Sequence, residues 1–214
     1  MKESNTKVRQ LILVLKSFLI LMMSYSLLWV FIKPLFKSNL PDALARSTYL
    51  LFASAISPLI AGLYIFLKTG ALPKIIVKRN MFYAVLTGMV GSWLTYKIRR
   101  HLGVAPALPG NSIYDLAKIF IVVLWAPFFE ETLFRGYFLE ILKLKWNNIG
   151  ALLLSSFLFT LPHLFNMTLI SLYGIMFLGF SMFADSIIFG VVYLQGGLIA
   201  AIVVHALSNC YEFF

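Results

Sequence analysis

Three short stretches set chemistry-bearing side chains at helical spacing inside apolar surroundings. They are Glu130, Glu131 and Arg135 in APFFEETLFRGYFLEIL, Phe159 and His163 in SSFLFTLPHLFN, and His205 and Asn209 in GGLIAAIVVHALSNCYEFF. Glu131 and Arg135 are four apart, the interval at which a helix puts a carboxylate and a guanidinium on one face as an ion pair. Glu130 is turned about 100° from Glu131 and has no basic residue of its own within one turn. It is therefore the carboxylate left over for chemistry. His205 and Asn209 repeat the interval of four and can present an imidazole and an amide to one cavity. Phe159 and His163 do the same beside Pro162, which can bend a helix.

A carboxylate desolvated between helices is a stronger base than one in water, so Glu130 with His163 could take a proton from a water and direct it at a carbonyl. The resulting oxyanion needs donors, which His205 and Asn209 could supply. That set describes hydrolysis of a peptide bond. Glu130, His163 and His205 also have the donor types of a three-ligand catalytic zinc site with water in the fourth position, so both mechanisms stay open at this level. Ser155, Ser156, Ser208 and Cys210 have no histidine-plus-acid relay of their own. As the one cysteine, Cys210 excludes an intrachain disulfide and a cysteine-based metal cluster.

The elements that must position these groups are read from composition. Of 214 residues, 61% are hydrophobic and 12% charged, and the mean hydropathy is +0.90. These values belong to an integral membrane protein. The expectation is an all-α polytopic bundle of seven or eight transmembrane helices, a single membrane domain over residues 1–214 with a catalytic core over 115–212. Apolar segments cover residues 8–32, 47–67, 81–96 and 115–142; another starts near Asn148 and a last one after Gly196 and Gly197. Residues 101–114 read as a loop. Residues 168–194 are too long for one comfortable span, and Gly174, Gly179 and Gly190 suggest two short helices there, or close helix contacts.

The net charge of +10 does not point to nucleic acid, because the basic residues lie in short connections and face anionic lipid. Lys2, Lys7, Arg9, Lys16, Lys68, Lys74, Lys78, Arg79, Lys143 and Lys145 fall on one side. Lys33, Lys37, Arg46, Lys97, Arg99, Arg100 and Lys118 fall on or near the other. This modest excess predicts a cytoplasmic N-terminus, with the first segment kept as an anchor rather than cleaved. Glu130 lies 13 residues before Lys143, and His163 lies 15 after Asn148. At 1.5 Å per residue each is about 20 Å from the same membrane face, so an α-hairpin would bring them to one level. Asp185 is an intramembrane charge without an evident partner or role.

EETLFR, FTLPH and HALSN resemble, in this order, the EExxxR, FxxxH and HxxxN motifs of the type II CAAX prenyl endopeptidase-like intramembrane proteases, also called the CPBP or Abi family. The resemblance implies an all-helical membrane protease in which Glu130 and His163 activate water and His205 and Asn209 bind the oxyanion. Glu131, Arg135 and Phe159 would support them. The family has been described as metalloproteases, and a glutamate-dependent mechanism without an obligatory metal is also held for it; the expectation here is the second. The absence of extra domains and the short basic N-terminus look like the bacterial relatives. That implies a bacterial plasma-membrane protein cleaving a small peptide or a membrane-anchored protein. A transporter with an intramembrane polar site and a non-catalytic immunity or binding protein are the rival readings.

Overall fold

The computed structural model describes residues 2–32, 34, 55–73, 75, 77–102, 119–165 and 172–211. They form seven helical elements. These are α1 (Lys2–Leu27, with a π turn Leu28–Ile32), α2 (Ser57–Thr69), α3 (Met81–His101), α4, α5 (Asn148–Phe165), α6 (Leu172–Gly196) and α7 (Leu198–Cys210). Helix α4 is continuous but changes register: π over Ile121–Trp125, α over Ala126–Glu131, π again over Thr132–Leu139, and α over Glu140–Lys143. Apart from an isolated bridge between Val77 and Gly197, the described residues contain no β-structure.

Burial differs from that of a soluble domain on the outside as well as in the charges it encloses. The outward face of α1 is a stripe of Val8, Ile12, Leu15, Leu19, Met23 and Leu27, whereas Arg99, Glu130, Glu131, Arg135 and Asp185 are buried. Such an arrangement suits a solvent of lipid tails, in which charges must find partners inside the protein. By length and composition α1 (from Val8) and α6 (from Ile175) can each cross a membrane; α2, α5 and α7 are shorter apolar helices.

Helix α6 is the centre of the bundle and packs on α3, α5 and α7. The main core joins Leu133, Phe134, Phe138 and Leu139 of α4 to Phe159 of α5 and Tyr193 of α6. The α4–α5 hairpin turns through residues 144–147, where Asn147 Oδ1 accepts from the Gly150 amide at 2.8 Å and so caps α5. Its short loop makes α4 and α5 antiparallel neighbours.

Two expectations are corrected. The run predicted as two short helices is unbroken from Leu172 to Gly196. Gly190 serves contact instead: a Cβ there would lie 2.2 Å from Leu152 and 4.0 Å from Arg135 Nε. The chain breaks at Gly197, whose φ of 90° and ψ of −175° belong to a region essentially reserved for glycine. The third helix runs on past residue 96 to His101, and Arg99, expected in a polar flank, is buried in the interior. Lys33, Lys37, Arg46, Lys74 and Lys118 lie outside the described residues, as do residues 103–114 of the expected loop, the start of the second segment, residues 115–118 and 168–171.

Across the break, the Lys78 amide donates to Gly196 O at 3.2 Å, and its ammonium donates to Leu194 O. Lys78 thus closes the C-terminus of α6. A side chain at Gly197 would strain this junction, so Gly197→Ala is expected to cost about 1–3 kcal/mol, read as a lowered unfolding midpoint in detergent. A midpoint equal to the wild type would contradict it.

Candidate active site

The site begins with a register change. In the first π stretch of α4 the Ala126 amide bonds to Ile121 O, five residues back. In that register Val122 O would next receive the amide of residue 127, but residue 127 is proline and has no N–H. The orphaned carbonyl is satisfied from another helix: Asn209 Nδ2 on α7 donates to Val122 O at 2.7 Å. One amide hydrogen of Asn209 is therefore committed to holding α7 against α4, and one is left.

Further along α4, Arg135 is buried against three helices. Its Nη1 donates to Glu131 Oε1 at 3.2 Å, the ion pair expected from their spacing. Its Nη2 donates to both the carbonyl and the Oγ of Ser186 on α6, at 2.6 and 2.7 Å. The guanidinium carbon also sits 4.9 Å from the centre of the Phe159 ring and 5.8 Å from that of Phe189. Acceptors and π surfaces from three helices thus meet this cation.

Glu131 does more than clamp Arg135, because its Oε1 also stands 2.9 Å from His205 Nδ1. A carboxylate paired with an arginine can only accept, so Nδ1 carries the proton and a neutral His205 keeps its lone pair on Nε2. The same logic fixes His163. Its Nδ1 lies 2.9 Å from the Phe159 carbonyl, which can only accept, leaving the lone pair again on Nε2.

Both Nε2 atoms face Glu130. Glu130 Oε2 is 3.8 Å from His163 Nε2 and 3.9 Å from His205 Nε2. These separations are too long for direct hydrogen bonds and leave room for a bridging water. The Glu130 and His205 side chains are 7% and 6% exposed but that of His163 is 26% exposed, so the site opens on the His163 side. Each imidazole lies on a phenyl ring, His163 on Phe159 at 4.7 Å and 26°, His205 on Phe189 at 4.4 Å and 16°.

Glu130, Glu131, Arg135, Phe159, His163 and His205 thus come together, while Asn209 is tied to the start of α4. The donor chemistry of two imidazole lone pairs and a carboxylate suits zinc. Their arrangement does not: among the described residues no three His, Cys, Asp or Glu side chains are disposed to hold a metal ion.

Sequence reasoning missed Ser186 and Phe189, which stand in no motif. It also left Asp185 unexplained. The structure pairs Asp185 with Arg99 and with the Thr95 hydroxyl, both on α3. The signal was available, because an intramembrane carboxylate demands a cation, but Arg99 in KIRRH has the look of an interface charge. Ser155, weighed above as a nucleophile, donates to Phe134 O at 2.8 Å and joins α5 to the second π stretch of α4.

Residues 112–211 match the model of the family described as type II CAAX prenyl endopeptidase Rce1-like. This region holds all three motifs and is similar to that family, which is one of integral membrane proteases whose substrates are peptides or proteins. No curated protein and no solved structure matches the chain.

Because Pro127 creates the need that Asn209 fills, their effects on stability are coupled. Asn209→Ala is expected to cost about 1–3 kcal/mol by leaving Val122 O without a donor. Pro127→Ala, which restores an N–H at that register, should reduce this cost in the double variant. Purely additive unfolding midpoints would contradict the coupling.

Proposed function

We propose that the chain is an intramembrane endopeptidase in which Glu130 and His163 activate a water for attack on a peptide carbonyl. The observation that carries this reading is the convergence of His163 Nε2 and His205 Nε2 on Glu130 Oε2, at 3.8 and 3.9 Å, with both rings held through Nδ1. A water between Glu130 and His163 would give one hydrogen to the carboxylate and one to the imidazole lone pair, turning an oxygen lone pair towards the substrate. Glu130 takes the proton as the C–O bond forms and returns it to the amine nitrogen as the C–N bond breaks. The remaining Nδ2 hydrogen of Asn209 is the oxyanion donor. His205 adds an Nε2–H only when both its ring nitrogens are protonated. Glu131, Arg135 and Phe159 hold this set in place.

No step is routed through a metal. The substrate is a small peptide or a membrane-anchored protein that reaches the site past His163. The full chain is read as one membrane domain of seven or eight crossings, with residues 115–212 as its catalytic core, in a bacterial plasma membrane with the N-terminus cytoplasmic.

Glu130→Gln, His163→Ala and His205→Ala should each abolish cleavage while the protein still inserts and folds. Peptides released by wild-type membranes and absent from Glu130→Gln membranes would identify the substrate. Wild-type release by all three variants would sink the proposal. Activity is expected to survive exhaustive chelation; stoichiometric zinc whose removal reversibly abolishes cleavage would replace the glutamate mechanism with a metal one.

A further inference from the structure

Helix α6 carries none of the three motifs, yet two of its side chains touch the groups that fix His205. Ser186 and Phe189 are three apart, hence on one face, and both are buried. Ser186 offers its Oγ and its carbonyl to Arg135 Nη2 at 2.7 and 2.6 Å. Arg135 Nη1 in turn holds Glu131 Oε1, the atom that receives His205 Nδ1. Glu131 Oε2 is buried with no hydrogen-bond partner among the described residues. Among the described residues the orientation of this carboxylate therefore rests on Oε1, anchored by Arg135 besides His205 itself. Phe189 acts on the same imidazole from another direction. Its ring is stacked on that of His205 at 4.4 Å and 16° and is held in turn by the Arg135 guanidinium at 5.8 Å and the edge-on Phe159 ring at 6.5 Å.

We propose that Ser186 and Phe189 are positioning residues for His205. Phe189 fixes the plane of the imidazole, and Ser186, acting through Arg135 and Glu131, fixes the nitrogen that bears its proton. With the ring so held, Nδ1 faces Glu131 and Nε2 faces Glu130, the orientation the hydrolase reading requires. The role of this orientation in catalysis rests on that reading; the orientation itself does not. Phe189 does for His205 what the motif residue Phe159, stacked at 4.7 Å, does for His163.

The test measures the His205 tautomer by ¹⁵N chemical shifts at one fixed pH, in the full-length protein in lipid nanodiscs, with the signal assigned from its loss in His205→Gln. Wild type should show the proton on Nδ1. Ser186→Ala and Phe189→Leu should each raise an Nε2–H population, whereas Ser186→Thr and Phe189→Tyr, which keep the hydroxyl and the ring, should hold the wild-type tautomer. For a peptide cut by wild type and not by Glu130→Gln, the first pair should lower kcat by on the order of 100-fold with KM unchanged, because a reoriented imidazole no longer presents Nε2 beside Glu130.

A purely structural role would lower stability and leave the tautomer alone. A wild-type tautomer in both Ser186→Ala and Phe189→Leu, or Nε2–H in the wild type itself, overturns the proposal, and a residue whose variant keeps the wild-type tautomer drops out of it. If Phe189→Leu does not fold, Ser186→Ala, which deletes one oxygen, carries the test. The tautomer needs no turnover, so a chain that cuts no peptide would refute the endopeptidase reading and leave this measurement decisive.

Discussion

Arg135 carries a full charge on a side chain 1% exposed, in a helix surrounded by apolar ones. Taking such an ion out of water costs several kcal/mol even after relaxation, and only a dense set of partners can offset it. The structure supplies them from three helices: Glu131 from its own turn, both acceptors of Ser186, and the faces of Phe159 and Phe189. Those same partners hold the imidazoles, since Glu131 receives His205 and the two phenyl rings carry one histidine each. Solvating one guanidinium and orienting two histidines are thus a single structural problem with a single solution.

Labour is divided among the helices accordingly. The reactive groups come from α4, α5 and α7, and their fixed surroundings come largely from α6. Neighbouring residues of α6, Asp185 and Ser186, each take an arginine, Arg99 from α3 and Arg135 from α4. The π stretches of α4 add a second kind of joint. Their Val122 and Phe134 carbonyls accept from Asn209 and Ser155, so that main-chain acceptors link helices that have few polar side chains to spare.

The local part of this arrangement was legible in the sequence. A spacing of four put Glu131 with Arg135, and residue counts across a short hairpin put Glu130 level with His163, because helix geometry alone fixes both. What joins distant helices was not. Nothing in the order of residues says that Ser186 would complete Arg135, that Phe189 would lie under His205, or that a proline at 127 would recruit Asn209. Arg99 was misread because a charge near a helix end looks the same whether it snorkels to an interface or turns inward to a carboxylate. The glycines of α6 were ambiguous for a related reason, since glycine permits both a chain break and a close contact. Only the neighbouring Leu152 and Arg135 show which applies at Gly190.

The Glu131–Arg135 pair spans four residues, whereas Arg99 and Asp185 are 86 apart and Glu131 and His205 are 74 apart. A chain emerging from the ribosome N-terminus first therefore has the short pair available as soon as α4 forms, before α6 and α7 exist. Helix α4 therefore has its arginine paired with a carboxylate from the start. The Arg99–Asp185 pair forms only once α6 is present, and the His205 ring finds its orientation on Glu131 only as α7 arrives.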